Sequence, residues 1–492
     1  MTQIAIPGAT VYAASVAEQA GSSYFLCRID ATGERRLGVG GDTTGFAGQE
    51  VGRGVLLCPC SAEHAAALRA RLPWLSPAPL GRQTSFGFGD RMGSATAGHI
   101  QAMRSTGAGA TIGPIYAQQS VRENTRTGRT PQQVLDDAMW GIFQEGWRAP
   151  WGADADHVKE IADVAPFVAA GYTFYTIDPS DYVDNAAQTD APKTLREKVA
   201  RLPWDQLGTH YDLLRQRYHR APFALDGLTL QFSEHVLLRA LAKYGRAIAH
   251  TAAIAAALTT QVHGGRYDLE ISVDETDTPT SIYEHFLIAN ELHARGIPVA
   301  SVAPRFVGKF QKGVDYMGDI ELFEAELTNH VAIMNHFDSY KLSIHTGSDK
   351  FSIYPIIARH AHGHVHVKTA GTSYLEALRL VAEYDPALFR AMLDHARAHF
   401  EHDRKTYFLD AQLSKVPAGA AVPDADLPDL LNQFDARQVL HVAFGSILDA
   451  YGDPLRALIA AHEDAFRAGL ERHFTRHLSP FVEPVAGHRP PG

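Results

Sequence analysis

At 492 residues, 45% hydrophobic and 20% charged, the chain is long enough for one large elaborated domain or two to three smaller ones with a full-sized core. Its net charge of −10 argues against a nucleic-acid backbone as the main partner, because counterion release needs clustered lysine and arginine. The longest apolar stretch, residues 247–258, is broken by His250 and Thr251 and too short to span a bilayer, and no secretory leader pattern opens the sequence, so no membrane partner is expected and the cytoplasm is the default.

Residues 1–80 stand apart from the rest. Short apolar runs at 11–14, 24–29 and 55–57 are separated by glycine-rich turns, and a helix is predicted over 62–72, closed by Pro73. This reads as a small α/β appendage, joined onward by a linker containing Pro77, Pro79 and Gly81. Cys58 and Cys60 are too close for a C-x2-C zinc knuckle and no second pair exists, so the three cysteines, with Cys27, read as small buried hydrophobes in a reducing compartment.

From 81 to 480 a strand–helix rhythm follows. Strands are predicted over 85–89, 111–117, 173–178, 267–274, 298–305, 341–345, 364–369 and 439–444, with helical patterns between them, for example at 131–145, 281–294 and 322–336. Alternation implies a parallel sheet, and eight units imply a closed TIM (β/α)8 barrel; an open doubly wound sheet is the alternative. The mostly helical stretch of about 190–262 reads as an insertion between two barrel units, and 481–492, rich in proline and glycine, as a flexible tail.

Five strands end in polar tips, and strand alternation sorts them. Leu269, Ile271 and Val273 share one face, so Asp268, Glu270, Ser272 and Asp274 share the other. The helix-facing side of a barrel strand must be apolar, which turns the carboxylates toward the axis or the mouth. By the same parity Ser343 and His345 point inward opposite Leu342 and Ile344, and His364, His366 and Lys368 opposite Val365 and Val367. Thr176 and Asp178 pair likewise, and Glu275, at a strand end where parity fails, can still reach the site.

Two imidazoles with one or two carboxylates suit a divalent transition metal with an open position. The expected ligands are His345, His366 and a carboxylate, Asp274 or else Glu275, with Zn, Mn, Co or Ni all compatible. No compact H-E-x-x-H signature is present; His360, His362 and His364 read as ordinary core or loop residues. The run Gly87–Phe88–Gly89–Asp90–Arg91–Met92–Gly93 misses the G-x-G-x-x-G spacing by one position, so it reads as a tight turn presenting Asp90 and Arg91 at the mouth, and no nicotinamide is expected. Arg91, Arg305, Lys312 and Lys368 make the mouth positive within an acidic protein, which suits a small anionic substrate.

At these same segments the chain resembles the tagaturonate epimerase (tagaturonate–fructuronate epimerase) family. The runs that carry the resemblance are SFGFGDRMGSATAGHI (85–100), YTIDPSDYVDN (175–185), SVDETDTPTS (272–281), APRFVGKFQKGVDY (303–316), KLSIHTGSDKFSIYPII (341–357) and HVKTAGTSYLEALR (366–379), which cover most of the barrel. The resemblance implies a metal-dependent sugar-acid isomerase of hexuronate catabolism that interconverts D-fructuronate and D-tagaturonate by inverting one hydroxyl-bearing carbon.

That carbon is β to the ketone, so enolisation alone cannot invert it. Retro-aldol cleavage, rotation of the aldehyde fragment and re-addition is the route a chain without a dinucleotide fingerprint can follow. A metal would polarise the ketone, Asp178 and Glu275 would serve as the two acid/base groups, Arg305, Lys368 or Arg91 would hold the substrate carboxylate, and Asp349 would bind sugar hydroxyls. A class II-type metal-dependent aldolase acting on a related sugar acid or ketose would use the same residues but release its fragments. A non-catalytic sugar-acid binding protein would need no acid/base set.

Overall fold

The computed structural model describes residues 5–52, 54–262 and 264–482; the expected tail therefore lies almost wholly outside the described residues. Eight parallel strands close a barrel: β1 (Ser85–Gly89), β2 (Gly113–Ser120), β3 (Gly152–Val158), β4 (Phe174–Ile177), β5 (Asp268–Val273), β6 (Val299–Pro304), β7 (Lys341–Ile344) and β8 (Val365–Thr369). Each pairs with its neighbour in sequence, and β8 returns to β1, with His366 opposite Ser85 and Lys368 opposite Gly87. This is the TIM-barrel arrangement, with helices outside and strand C-termini gathered at one mouth.

Local chemistry sets the elements. The helix Pro131–Glu145 starts with a reciprocal capping box between Thr130 and Gln133, has proline in its first turn, and stops at Gly146 with φ +60°. Ser281 and Glu284 form the same box at the start of Ile282–Ala294. Outward strand residues such as Leu269, Ile271, Leu342, Ile344, Val365 and Val367 are buried beneath these helices.

One predicted strand is corrected. Residues 439–444 are helical: Phe434–Val442 is capped by the Gln433 side chain, and Phe444–Ala461 follows directly. Val439, Leu440 and Val442 are all buried, and a short run that is apolar on every side carries no period to separate strand from helix. The barrel's true remaining strand is β3, whose alanines and aspartates are poor strand formers.

Residues 9–59 form an antiparallel six-stranded sheet, followed by the helix Ala62–Arg71, which packs on Pro131–Glu145 through the Arg69–Asp136 ion pair. The segment that follows plugs the barrel's N-terminal end. Asp268 accepts from the amides of Leu80 and Gly81 at 2.7 and 2.9 Å, and the Lys341 ammonium donates to the carbonyls of Gly81 and Gln83. Between β4 and β5 lie the helices Pro192–Ala200, Trp204–Leu207, Tyr211–His219 and Glu234–Gln261, with a small hairpin of Phe223–Leu225 and Leu228–Leu230 among them. The helix Glu463–Val482 packs against Thr96–Ser105, where Gly98 leaves room for Leu470. No helix of the described residues is long and apolar enough to cross a membrane.

Candidate active site

The barrel mouth opens into a cavity of about 460 Å³. Its polar lining includes Asp274, Glu275, Arg305, Lys312, His345 and Thr346, and Phe306, Phe310, Tyr407 and Phe408 form an aromatic wall. At its foot, ligand-capable atoms of His157, Asp274 and His345 lie within 4.8 Å of one another.

His157 is brought there by an irregularity in β3. The register against β4 slips between Tyr175 and Ile177, and His157 takes φ +56°, a left-handed conformation uncommon outside glycine. Such a bulge re-aims a side chain that strict alternation would send outward. Asp156 and His157, consecutive residues, both reach the site.

Each imidazole is held from behind by a carboxylate. His157 Nδ1 bonds Asp156 at 2.8 Å, and its Nε2 faces Asp274 and Glu275, each at 3.9 Å. His345 Nε2 bonds the fully buried Glu270 at 2.6 Å, and its Nδ1 faces Asp274 at 3.2 Å. Ser272 donates to Asp274 from the same strand. A carboxylate behind each histidine, with the opposite nitrogen turned on a shared acid, is how metal-binding imidazoles are oriented. The donor set of two nitrogens and one carboxylate oxygen fits a divalent transition metal.

The electrostatics follow from burial against charge. Burial opposes protonation of His157, but Asp156, with Glu275 and Asp178 beyond it, raises its pKa to about 10. His345 is likewise raised to about 9, burial and Lys368 opposing, Asp274 and Glu270 prevailing. Glu270 is buried and Asp274 half-buried, yet Lys368 beside Glu270 and His345 beside both hold them below the ordinary carboxylate range. A metal must therefore displace protons to bind.

Beneath the triad, Lys368 lies 2.8 Å from Asp154, 2.7 Å from Asp156 and 3.0 Å from Glu270, and donates to Thr176. Three carboxylates share one ammonium. Burial, with Asp156 and Glu270 nearby, pushes Asp154 to about 7 even though Lys368 pulls it down.

The expected site residues divide accordingly. Asp274, Glu275, His345 and Arg305 are brought to the cavity. Arg305 is pinned by its backbone to Thr280 in both directions, while its guanidinium makes no ion pair or side-chain hydrogen bond among the described residues. Asp178 is buried close by, 3.6 Å from the Lys159 ammonium. His366 is not in the triad: it sits deeper, its Nδ1 against Ser85 at 2.8 Å, and burial keeps it neutral. Lys368 is enclosed by carboxylates and so is not available to a substrate anion. Asp90 caps its own turn by accepting from the amides of Met92, Gly93 and Ala95. Arg91 pairs with the buried Glu123 at 2.7 Å and stacks on Phe444, and neither residue of that turn lines the cavity. Asp349 faces away from the mouth, toward Arg437 and His473.

Sequence reasoning missed His157, Asp154 and Asp156. One signal was present: Asp154 and Asp156 alternate with Ala153 and Ala155 in the long gap between the second predicted strand and the third.

An eight-stranded barrel with acid, base and metal-capable groups converging at its C-terminal mouth defines a barrel enzyme acting on a small polar substrate. The family model described as UxaE, tagaturonate epimerase, matches residues 12–481, and the chain belongs to this family; it is an epimerase. It is 39% identical over 479 residues to the tagaturonate/fructuronate epimerase of Thermotoga maritima, covering 96% of each chain. It is similar also to crystal structures of the fructuronate-tagaturonate epimerase from Cohnella laeviribosi. The native form gives a TM-score of 0.89 at 36% identity, covering 96% of this chain and 97% of that one. A form with two glycerols bound gives 0.90 at the same identity, with 96% of each chain covered.

Proposed function

We propose that the protein interconverts D-fructuronate and D-tagaturonate by metal-dependent retro-aldol cleavage and re-addition. The observation that carries this reading is the pair of imidazoles, His157 and His345, each backed by a buried carboxylate and turned on Asp274 beneath a cavity lined by Arg305, whose guanidinium has no ion-pair partner among the described residues. His157, Asp274 and His345 would hold a divalent cation, revising the expected ligand set by replacing His366 with His157. Such a cation supplies Lewis-acid stabilisation of negative charge developing on the substrate's ketone oxygen.

The residues of the chain account for the rest. Arg305 holds the substrate carboxylate in a two-pronged grip. Glu275, at the mouth and 3.5 Å from Arg122, takes the proton from the β-hydroxyl. The carbon–carbon bond then breaks, its electrons pass into the former ketone to give an enediolate, and the hydroxyl-bearing carbon becomes an aldehyde. The aldehyde turns over within the cavity, the enediolate adds to its other face, and the new alkoxide is protonated from the opposite side. Asp178, buried beside Lys159, is the group on that side, and exchange of one proton with water at each carboxyl resets the pair for the next turnover. Phe306, Phe310, Tyr407 and Phe408 wall the cavity and keep the fragments from escaping. No electrons or co-reactants enter or leave.

The test is proton NMR of D-fructuronate incubated with the protein, with Mn²⁺, Zn²⁺, Co²⁺ or Ni²⁺ and with EDTA. Metal-dependent appearance of D-tagaturonate without added nicotinamide is expected. Release of free aldehyde in place of epimer would assign the aldolase reaction, and conversion undiminished by EDTA would remove the metal from the scheme.

A further inference from the structure

A second cluster of buried histidines and carboxylates lies behind the mouth. Asp349 is 3.0 Å from His473 Nε2 and 3.6 Å from His477 Nε2, both on the helix Glu463–Val482. These three atoms are close enough for a metal, but the cluster already holds a cation. Arg437 sits 3.0 Å from the other oxygen of Asp349. The Asp349 amide donates to His477 Nε2 at 3.0 Å, and His477 Nδ1 donates to the His473 carbonyl, so the His477 lone pair is occupied. His473 Nδ1 faces Glu376 at 3.4 Å, which places a carboxylate on each side of its ring.

The segment this cluster grips is the turn that leaves His345. Thr346 has φ +49° and Asp349 φ +59°. A β-branched residue in the left-handed region is a true outlier, and it persists only where the surroundings over-determine it. Between them Gly347 passes so close to the ends of β7 and β8 that a Cβ would meet the carbonyl oxygens of Ile344 and Lys368 at 2.9 and 3.0 Å. Thr346 lines the cavity and accepts from Lys312 at 3.0 Å.

We infer that His473 and His477 are positioning residues: the helix Glu463–Val482 clamps Asp349 and so keeps the strained turn in the shape that presents His345 and Thr346 to the cavity. The consequence for turnover rests on the epimerase reading above; the clamp itself does not.

Hydrogen–deuterium exchange of the segment 341–354 in the whole protein reads the clamp without substrate. His473→Ala is expected to speed exchange there at least tenfold and to lower kcat at least tenfold with KM within threefold. His473→Gln, which keeps a donor toward Asp349, recovers most of both. Thr346→Asn added to His473→Ala recovers at least threefold in kcat, because asparagine tolerates the left-handed region; a merely structural histidine would not respond to it. Should His473→Ala fail to fold, Asp349→Asn carries the same expectation for exchange and kcat. Unchanged exchange, a kcat loss that Thr346→Asn leaves untouched, or a second equivalent of bound metal that His473→Gln removes would overturn the inference. Faster exchange in a protein that never converts fructuronate would leave the clamp standing and remove the proposed substrate.

Discussion

Asp156 accepts a hydrogen bond at 2.8 Å from the Nδ1 of His157, its immediate neighbour in the chain, although successive residues of a strand ordinarily face opposite sides. The bulge in β3 makes this possible, and it turns one polar tip into both a candidate metal ligand and the group that orients it.

Removing the imidazole of His157 should therefore abolish stable metal binding, as should His345→Ala. Asp156→Asn, which keeps the shape but weakens the orienting bond, should cost about 10–100-fold in metal affinity. His366→Ala should keep its metal, because that ring points at Ser85. Chelator competition with each purified variant checks all four; loss of metal from His366→Ala with retention in His157→Ala would reverse the assignment.

The metal-free protein should lose stability as pH rises. His157 at about 10 and His345 at about 9 both lie above the unfolded value of about 6.5. Groups raised on folding contribute fully below the unfolded pKa, and that contribution fades as pH climbs through the folded values. The Tm of EDTA-treated protein should thus fall between about pH 6.5 and 10. Apparent metal affinity should rise over the same interval as protons leave the ligands. A metal-free Tm that climbs across this range would contradict the pairing.

Arg305→Ala should raise KM for a hexuronate about 10–100-fold, the worth of a charge-assisted hydrogen bond, with little change in kcat. Neutral ketoses lack the carboxylate and should be unaffected if they react at all. Steady-state kinetics on a uronate and its neutral counterpart separates the two, and equal losses on both would assign Arg305 another task.

Lys368→Met should destabilise the fold by about 3–5 kcal/mol, because it leaves Asp154, Asp156 and Glu270 buried without their shared cation. Adding Asp154→Asn should recover part of the loss. Denaturant unfolding of both variants measures it, and a Lys368→Met protein as stable as the parent would mean that these carboxylates take up protons without cost.

Much of the barrel could be read in the sequence because Leu269–Ile271–Val273 and Val365–Val367 alternate cleanly with polar partners, as a sheet under helices requires. That parity found Asp274 and His345. It could not find His157, whose aim depends on a bulge that breaks parity, in a strand of alanines and aspartates with weak strand preference. Depth was equally hidden. His366 and Lys368 point inward as expected, but inward at the wrong level, one against Ser85 and the other among three carboxylates. Arg91 looked available because Glu123, its partner in the first turn of the helix that follows β2, is distant in sequence. Chain order does not tell which charge reaches another first.

The seam between β1 and β8 has a consequence for how the molecule comes into being. Residues 85–89 leave the ribosome long before 365–369, so through most of synthesis β1 presents an unpaired edge, and the ring cannot be closed by the strands made so far. Parallel pairings across such a separation form slowly and expose sticky intermediates. The antiparallel sheet of residues 9–59 pairs its strands only with one another, so its ladder can form while the ring waits for its last strand.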